Sequence, residues 1–226
     1  MFRIDPATNG ITATISMDTA PAAAFGDAGI TFADGSIWVT GSGRLGDGGS
    51  QAILDRVDPA TNTVVASIPL GGRFGSDVAV NDAGVWVGIF THTNAQVVRV
   101  DPATNEVVDR IDLESDYVRR VVAIDGAVTV HELVWSDAGG PCAVLTTIDP
   151  TTATVVAHKP VDGLCGGARL VVWDGRIWAA GSERFQPLDP LTTRPDGDGF
   201  GFPPPHSPRG FIVTDGTGIW YAAYPG

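Results

Sequence analysis

Few of the chain's ionisable residues stand at spacings that chemistry requires. His131-Glu132 is the first exception. It occupies a strand end where equivalent positions carry Thr40-Gly41, Gly88-Ile89, Ala180-Gly181 or Ala222-Ala223. An imidazole can act as a base, with a carboxylate as its orienter or as a metal ligand, which is the chemistry of a lyase or hydrolase, with or without a divalent metal. Consecutive strand residues point to opposite faces, however, so the pair aims at one site only across a bulge. The four histidines, His92, His131, His158 and His206, share no ligand spacing. The second exception is a set of arginines. Alignment on Asp-Gly turns puts Arg119, Arg120, Arg169 and Arg209 where inner strands begin, and Arg73 a few residues earlier in its own unit. Guanidinium forks suit carboxylate or phosphate, so these are candidate binding residues for a small anionic ligand or an acidic peptide or protein. The competing expectation is that they pair with Asp77, Asp116, Glu114 and Asp162 and only fasten neighbouring units.

Other signals are weaker. Asp196-Gly197-Asp198-Gly199 resembles the start of a calcium loop, but the twelve-residue pattern and its closing Glu are absent, so a solvated Gly-rich loop is expected. No nucleophile elbow, phosphate loop or Cys-x-x-Cys is present, and no cofactor is expected. Cys142 and Cys165 both fall on the face that carries the variable loops. A bridge between them closes a loop worth about 3 kcal/mol in the chain-entropy model, and implies an oxidising, extracytoplasmic or secreted setting. Two free buried thiols are the alternative.

The elements that position these residues are set by a repeat. Arg-Ile/Val-Asp-Pro-Ala-Thr-Asn occurs at Arg3–Asn9, Arg56–Asn62 and Arg99–Asn105, with looser copies at Thr147–Thr152 and Pro187–Thr192. An Asp/Gly turn followed by an aromatic strand interleaves with it, at Ile37-Trp38, Val85-Trp86, Ile177-Trp178 and Ile219-Trp220; the copy at Val128-Thr129 lacks the Trp. A period of roughly 40 to 50 residues is that of propeller blades. Each unit reads as four strands, in the second unit Asp77–Val80, Val85–Phe90, Gln96–Val100 and Glu106–Ile111. The Trp residues are expected in the layers between blades. The chain opens on a third and fourth strand and closes on a first and second, so the two ends are expected to complete one blade and clasp the ring, the alternative being a fragment of a larger ring cut at the same phase. Phe200–Pro205 cannot form a regular strand and replaces or distorts the fourth strand of its unit.

The 226 residues, 43% hydrophobic with Gly 29 and Pro 16, suit one domain over 1–226 rich in strands and turns. The net charge of −12 argues against nucleic acid. No stretch of 18 or more apolar residues is present, so membrane insertion is not expected. Nor does a basic-then-apolar leader precede the first strand, from which no signal peptide is expected in this chain. A monomer is expected.

The segment Ile37–Gly72, IWVTGSG…VDPATNTVVASIPLGG, closely resembles the YVTN-type propeller repeat, and more broadly the NHL and virginiamycin B lyase-like propellers. The resemblance spans nearly the whole chain and fades after Asp189. It implies a β-propeller of about five four-stranded blades serving as an extracytoplasmic sensor or scaffold, a binding module more than an enzyme. The metal-assisted His and Glu constellation of the lyase has no matching motif here.

Overall fold

The computed structural model describes residues 1–17, 29–44, 49–91, 93–115, 117–136, 140–160, 169–180, 184–201, 206–214 and 217–225; for 44, 133–136, 140–143, 184, 200, 206–213 and 221–225 the backbone alone is described. The described residues form strands and turns and no helix. β1 (Phe2–Asp5) and β2 (Gly10–Thr14) pair as a hairpin. Four four-stranded antiparallel sheets follow: β3 (Ile30–Ala33), β4 (Ser36–Arg44), β5 (Ser50–Asp58) and β6 (Thr63–Gly71); β7 (Phe74–Asn81), β8 (Gly84–Phe90), β9 (Ala95–Asp101) and β10 (Glu106–Asp112); β11 (Tyr117–Ile124), β12 (Ala127–Ser136), β13 (Gly140–Asp149) and β14 (Thr154–Pro160); β15 (Arg169–Trp173), β16 (Arg176–Ala180), β17 (Arg184–Leu188) and β18 (Phe200–Gly201). A last hairpin joins β19 (His206–Thr214) to β20 (Ile219–Pro225). Strands adjacent in sequence are adjacent in each sheet, and the first strands β3, β7, β11, β15 and β19 neighbour one another in that order. The described residues thus form a β-propeller of four full blades and two half-blades.

Strand periodicity explains how the blades pack. Successive side chains alternate between faces, and each face meets a different neighbouring blade. Val98 and Val100 join Trp38, Leu54 and Leu70 of the preceding blade, whereas Val97 joins Val118, Val130 and Ile148 of the following one. Leu145 packs with Leu170, Ile177 and Leu188 across the next seam. Trp38 and Trp86 are fully buried. Each large apolar side chain so buried contributes about 1.5–3 kcal/mol.

The repeat's Asp-Pro turn is built by its own side chains. Asp58 accepts from the Ala60 N–H (2.8 Å) and the Thr61 hydroxyl (3.0 Å), as Asp5 does from Ala7 and Thr8 (both 2.9 Å). These bonds to the ionised form hold both carboxyls below the usual Asp range. Asn9, Asn62 and Asn105 close the turn at φ between 53° and 59°. Asparagine tolerates that left-handed conformation better than most residues.

The repeat's arginine has a role that the sequence alone does not disclose: it latches each blade to the next. Arg3 donates to the Pro59 carbonyl (2.9 Å) and to Asn62 Oδ1 (3.2 Å), and Arg56 to the Pro102 carbonyl (2.7 Å) and Asn105 Oδ1 (3.1 Å). Arg99 reaches the Pro150 carbonyl (2.9 Å), and Thr147 takes over at Pro190 (3.0 Å). Arg56 and Arg99 lie over the rings of Trp38 and Trp86. The Trp of one strand and the Arg of the next are thus one device.

The chain ends carry the expected phase, with outer strands first and inner strands last. They stand as two separate two-stranded sheets, and no ladder joins β20 to β1 among the described residues. Phe2, Ile4, Ile11, Ile30 and Phe32, on the first hairpin and β3, are mostly exposed. Trp220 departs from the inter-blade placement expected of every Trp: it is 63% exposed, on a half-blade that pairs with no third strand among the described residues. β18 is only two residues long, as Phe200–Pro205 suggests, and residues 202–205 lie outside the described residues.

Candidate functional site

β12 runs from the Asp-Gly turn side to the opposite end of its blade, and there presents His131 and Glu132 on opposite faces, each fully buried. The neighbouring β11 carries a bulge at this level. Val118 pairs with Glu132 and Arg120 with His131, so Arg119 is the extra residue between them. A bulge re-aims a side chain that regular pairing would alternate.

On one face stands His131. Neither ring nitrogen has a hydrogen-bond partner, and nor does the buried Nε of Arg119. Burial drives the His131 pKa down to about 3, and the charges of Arg119 and Arg169 push in the same direction. Arg169 is the first residue of β15, the inner strand next to β11. Two inner strands and the end of a second strand therefore bring two guanidiniums to one neutral imidazole. Both arginines are half-buried, and of their donors the Arg119 Nε is buried without a hydrogen-bond partner.

On the other face stands Glu132. The Thr146 hydroxyl donates a short bond to its Oε1, while Oε2 is buried and unbonded. His158 Nδ1 lies 2.7 Å from Thr146 Oγ1, and His158 Nε2 3.6 Å from Glu114 Oε2. Thr146 has one proton and gives it to the carboxylate, so the proton in the second contact belongs to His158 Nδ1. Glu132 therefore works with Thr146 and His158, not with His131. Thr146 and His158 are direct cross-strand partners on β13 and β14. Nothing local in the sequence brings an outer-strand histidine to a second-strand carboxylate.

The remaining candidates separate. Arg120 Nε lies 3.4 Å from Asp77 Oδ2, and the same carboxylate accepts from the Val121 N–H at 2.9 Å. This arginine fastens β11 to β7. Arg73 is exposed, with its guanidinium 4.9 Å from the Phe74 ring centroid. Arg209 lies on β19, its side chain outside the described residues. Asp196 meets Arg176 at 3.8 Å, and no group of three His, Cys, Asp or Glu suited to a metal occurs among the described residues, which include Asp198. Cys165 and the side chain of Cys142 lie outside the described residues, as do His92, Asp116 and Asp162.

No family model and no curated protein matches the chain. Solved structures do. Hydrazine synthase of Kuenenia stuttgartiensis is similar at a TM-score of 0.54 and 16% identity, over 83% of this chain and 69% of that one. The Dos1 propeller gives 0.58 and 12%, over 88% and 53%. BamB from Moraxella catarrhalis gives 0.60 and 14%, over 86% and 54%. The chain thus spans about half the length of the last two. At these identities the likeness is one of fold, and the fold it shows is the β-propeller.

Proposed function

We propose that this propeller is a non-catalytic binding or scaffold module that recognises an anionic group, on a small ligand or an acidic protein segment, through Arg119 and Arg169. The observation that carries this reading is the buried Arg119 Nε without a partner, beside an imidazole with two unbonded nitrogens. The resemblance of Ile37–Gly72 to YVTN-type sensor propellers supports it, and is the ground for proposing an extracytoplasmic setting. Arg73 and Arg209 remain part of the proposed binding set. A lyase or hydrolase reading would need His131 and Glu132 to converge, and they face opposite ways.

Calorimetric titration of inorganic phosphate at low salt tests the reading. Arg119→Gln should weaken binding at least tenfold, about the loss of one charge-assisted hydrogen bond. Arg120→Gln should leave binding intact and lower the melting temperature, because that side chain is committed to Asp77. Undetectable phosphate binding by the intact protein would reject the reading.

A further inference from the structure

We propose that β1 pairs with β20 of a second copy of this chain, with Trp220 opposite Arg3, so that two copies share their half-blades. β1 bonds β2 along one edge, and β20 bonds β19. The other edge of each carries no ladder among the described residues. An edge strand accepts an added strand through its backbone, and side chains decide which strand and in what register.

The chain itself supplies the pattern. In the first two full blades the Trp of the second strand pairs with the Arg of the third, Trp38 with Arg56 and Trp86 with Arg99, and each guanidinium lies over its ring. Arg3 already makes the latch onto the next Asp-Pro turn that Arg56 makes, and Trp220 follows Ile219 on β20 as Trp38 follows Ile37 on β4. The same register sets Ile219 opposite Ile4, as Ile37 faces Val57 and Val85 faces Val100. Val57 and Val100 are fully buried, whereas Ile4, in their position on β1, is exposed. The seam toward the following blade repeats the contrast. Val78 packs with Trp38 of the blade before it, and Val121 with Trp86. Ile30 pairs with the residue after Trp38 as Val78 pairs with the residue after Trp86, yet Ile30 is 61% exposed. An added β20 brings Trp220 to that face and covers it.

A second copy fits this edge better than the chain's own β20. Arg3 fixes the first hairpin to the blade that follows it, while Ile219 packs with Val171 and Phe185 of the fourth full blade. Each first strand from β3 to β19 stands against the next, but β19 does not stand so against β3. Pairing within one chain therefore requires the arc of blades to tighten, whereas a second copy takes both half-blades as they stand. Two such junctions related by a twofold axis close the pair and leave neither edge open to a third copy.

Sedimentation equilibrium of the intact protein should give the mass of two chains. Ile30→Glu should fold, because the side chain is exposed in the single chain, and should raise the dissociation constant of the pair at least about tenfold by setting a carboxylate in an apolar seam. Cross-linking reads the register. A mixture of Ile4→Cys chains and Ile219→Cys chains should oxidise to a dimer of one of each, with the intact protein as control for Cys142 and Cys165. If a variant does not fold, sedimentation of the intact protein decides. A monomer at every concentration overturns the proposal. A bond formed only inside the Ile4→Cys/Ile219→Cys double variant also overturns it, by closing the ring within one chain. So does a dimer that Ile30→Glu leaves intact and that yields no mixed cross-link.

Discussion

His131 shows how the protonation of one buried side chain bears on stability. Its folded pKa of about 3 lies far below the ordinary 6.5, because burial and two arginines oppose its charge. Above about pH 6.5 the ring is neutral in both folded and unfolded states, and its contribution to stability is complete. As pH falls from there toward 3, the unfolded chain takes up a proton that the native site refuses, and stability drops by up to about 1.4 kcal/mol per pH unit. Urea denaturation in low-anion buffer should therefore show a steeper acid loss for the intact protein than for His131→Gln. Equal slopes would mean that the native ring takes up its proton as readily as the unfolded chain does. The sequence marks this residue, since an ionisable pair replaces small residues at an equivalent position. Its environment is invisible there, because Arg119 and Arg169 arrive from two other strands.

At the scale of the element, the Asp-Pro turn and its arginine latch form one repeating part, and the latch of Arg99 onto the fourth turn, Asp149-Pro150, is incomplete. Asn62 and Asn105 each sit in the left-handed region and accept from the preceding blade's arginine. Ala153 occupies that conformation (φ 53°) with no side-chain acceptor, and Arg99 bonds only the Pro150 carbonyl of that turn. Ala153→Asn should relieve the backbone and restore the second bond, raising stability by about 1 kcal/mol. Thermal melts of the variant test this, and an unchanged or lowered midpoint would show that the latch gains nothing there. The turn was legible in Asp-Pro-Ala-Thr-Asn because its bonds run between residues two to four apart. The latch was not, since its partners lie 46 to 56 residues apart.

At the scale of the whole molecule, four apolar seams among the described residues hold consecutive blades together, and the first hairpin is fastened to the blade that follows it by Arg3. Removing residues 1–16 deletes that latch and one half-blade. The truncated protein should melt earlier and less cooperatively, because its first full blade loses a neighbour. Calorimetric and van't Hoff enthalpies compared on both forms provide the measurement, and an equally sharp transition would show that the hairpin is dispensable. Phe2, Ile4, Ile11, Phe32 and Trp220 are large apolar side chains left exposed among the described residues.

The sequence by itself determined the architecture, because blade number, strand phase and turn conformation are encoded in short-range alternation and in residues with fixed backbone preferences. It also located the end of β12 and the arginines of the inner strands as places where chemistry can sit. Only the tertiary structure divided that set. The bulge at Arg119 turns one arginine to His131, Asp77 of another blade claims Arg120, and Thr146 with His158 takes Glu132 away from its neighbour in sequence. Each of these outcomes depends on which side chains meet across a sheet or a seam. Packing between distant strands decides that, and no local pattern records it.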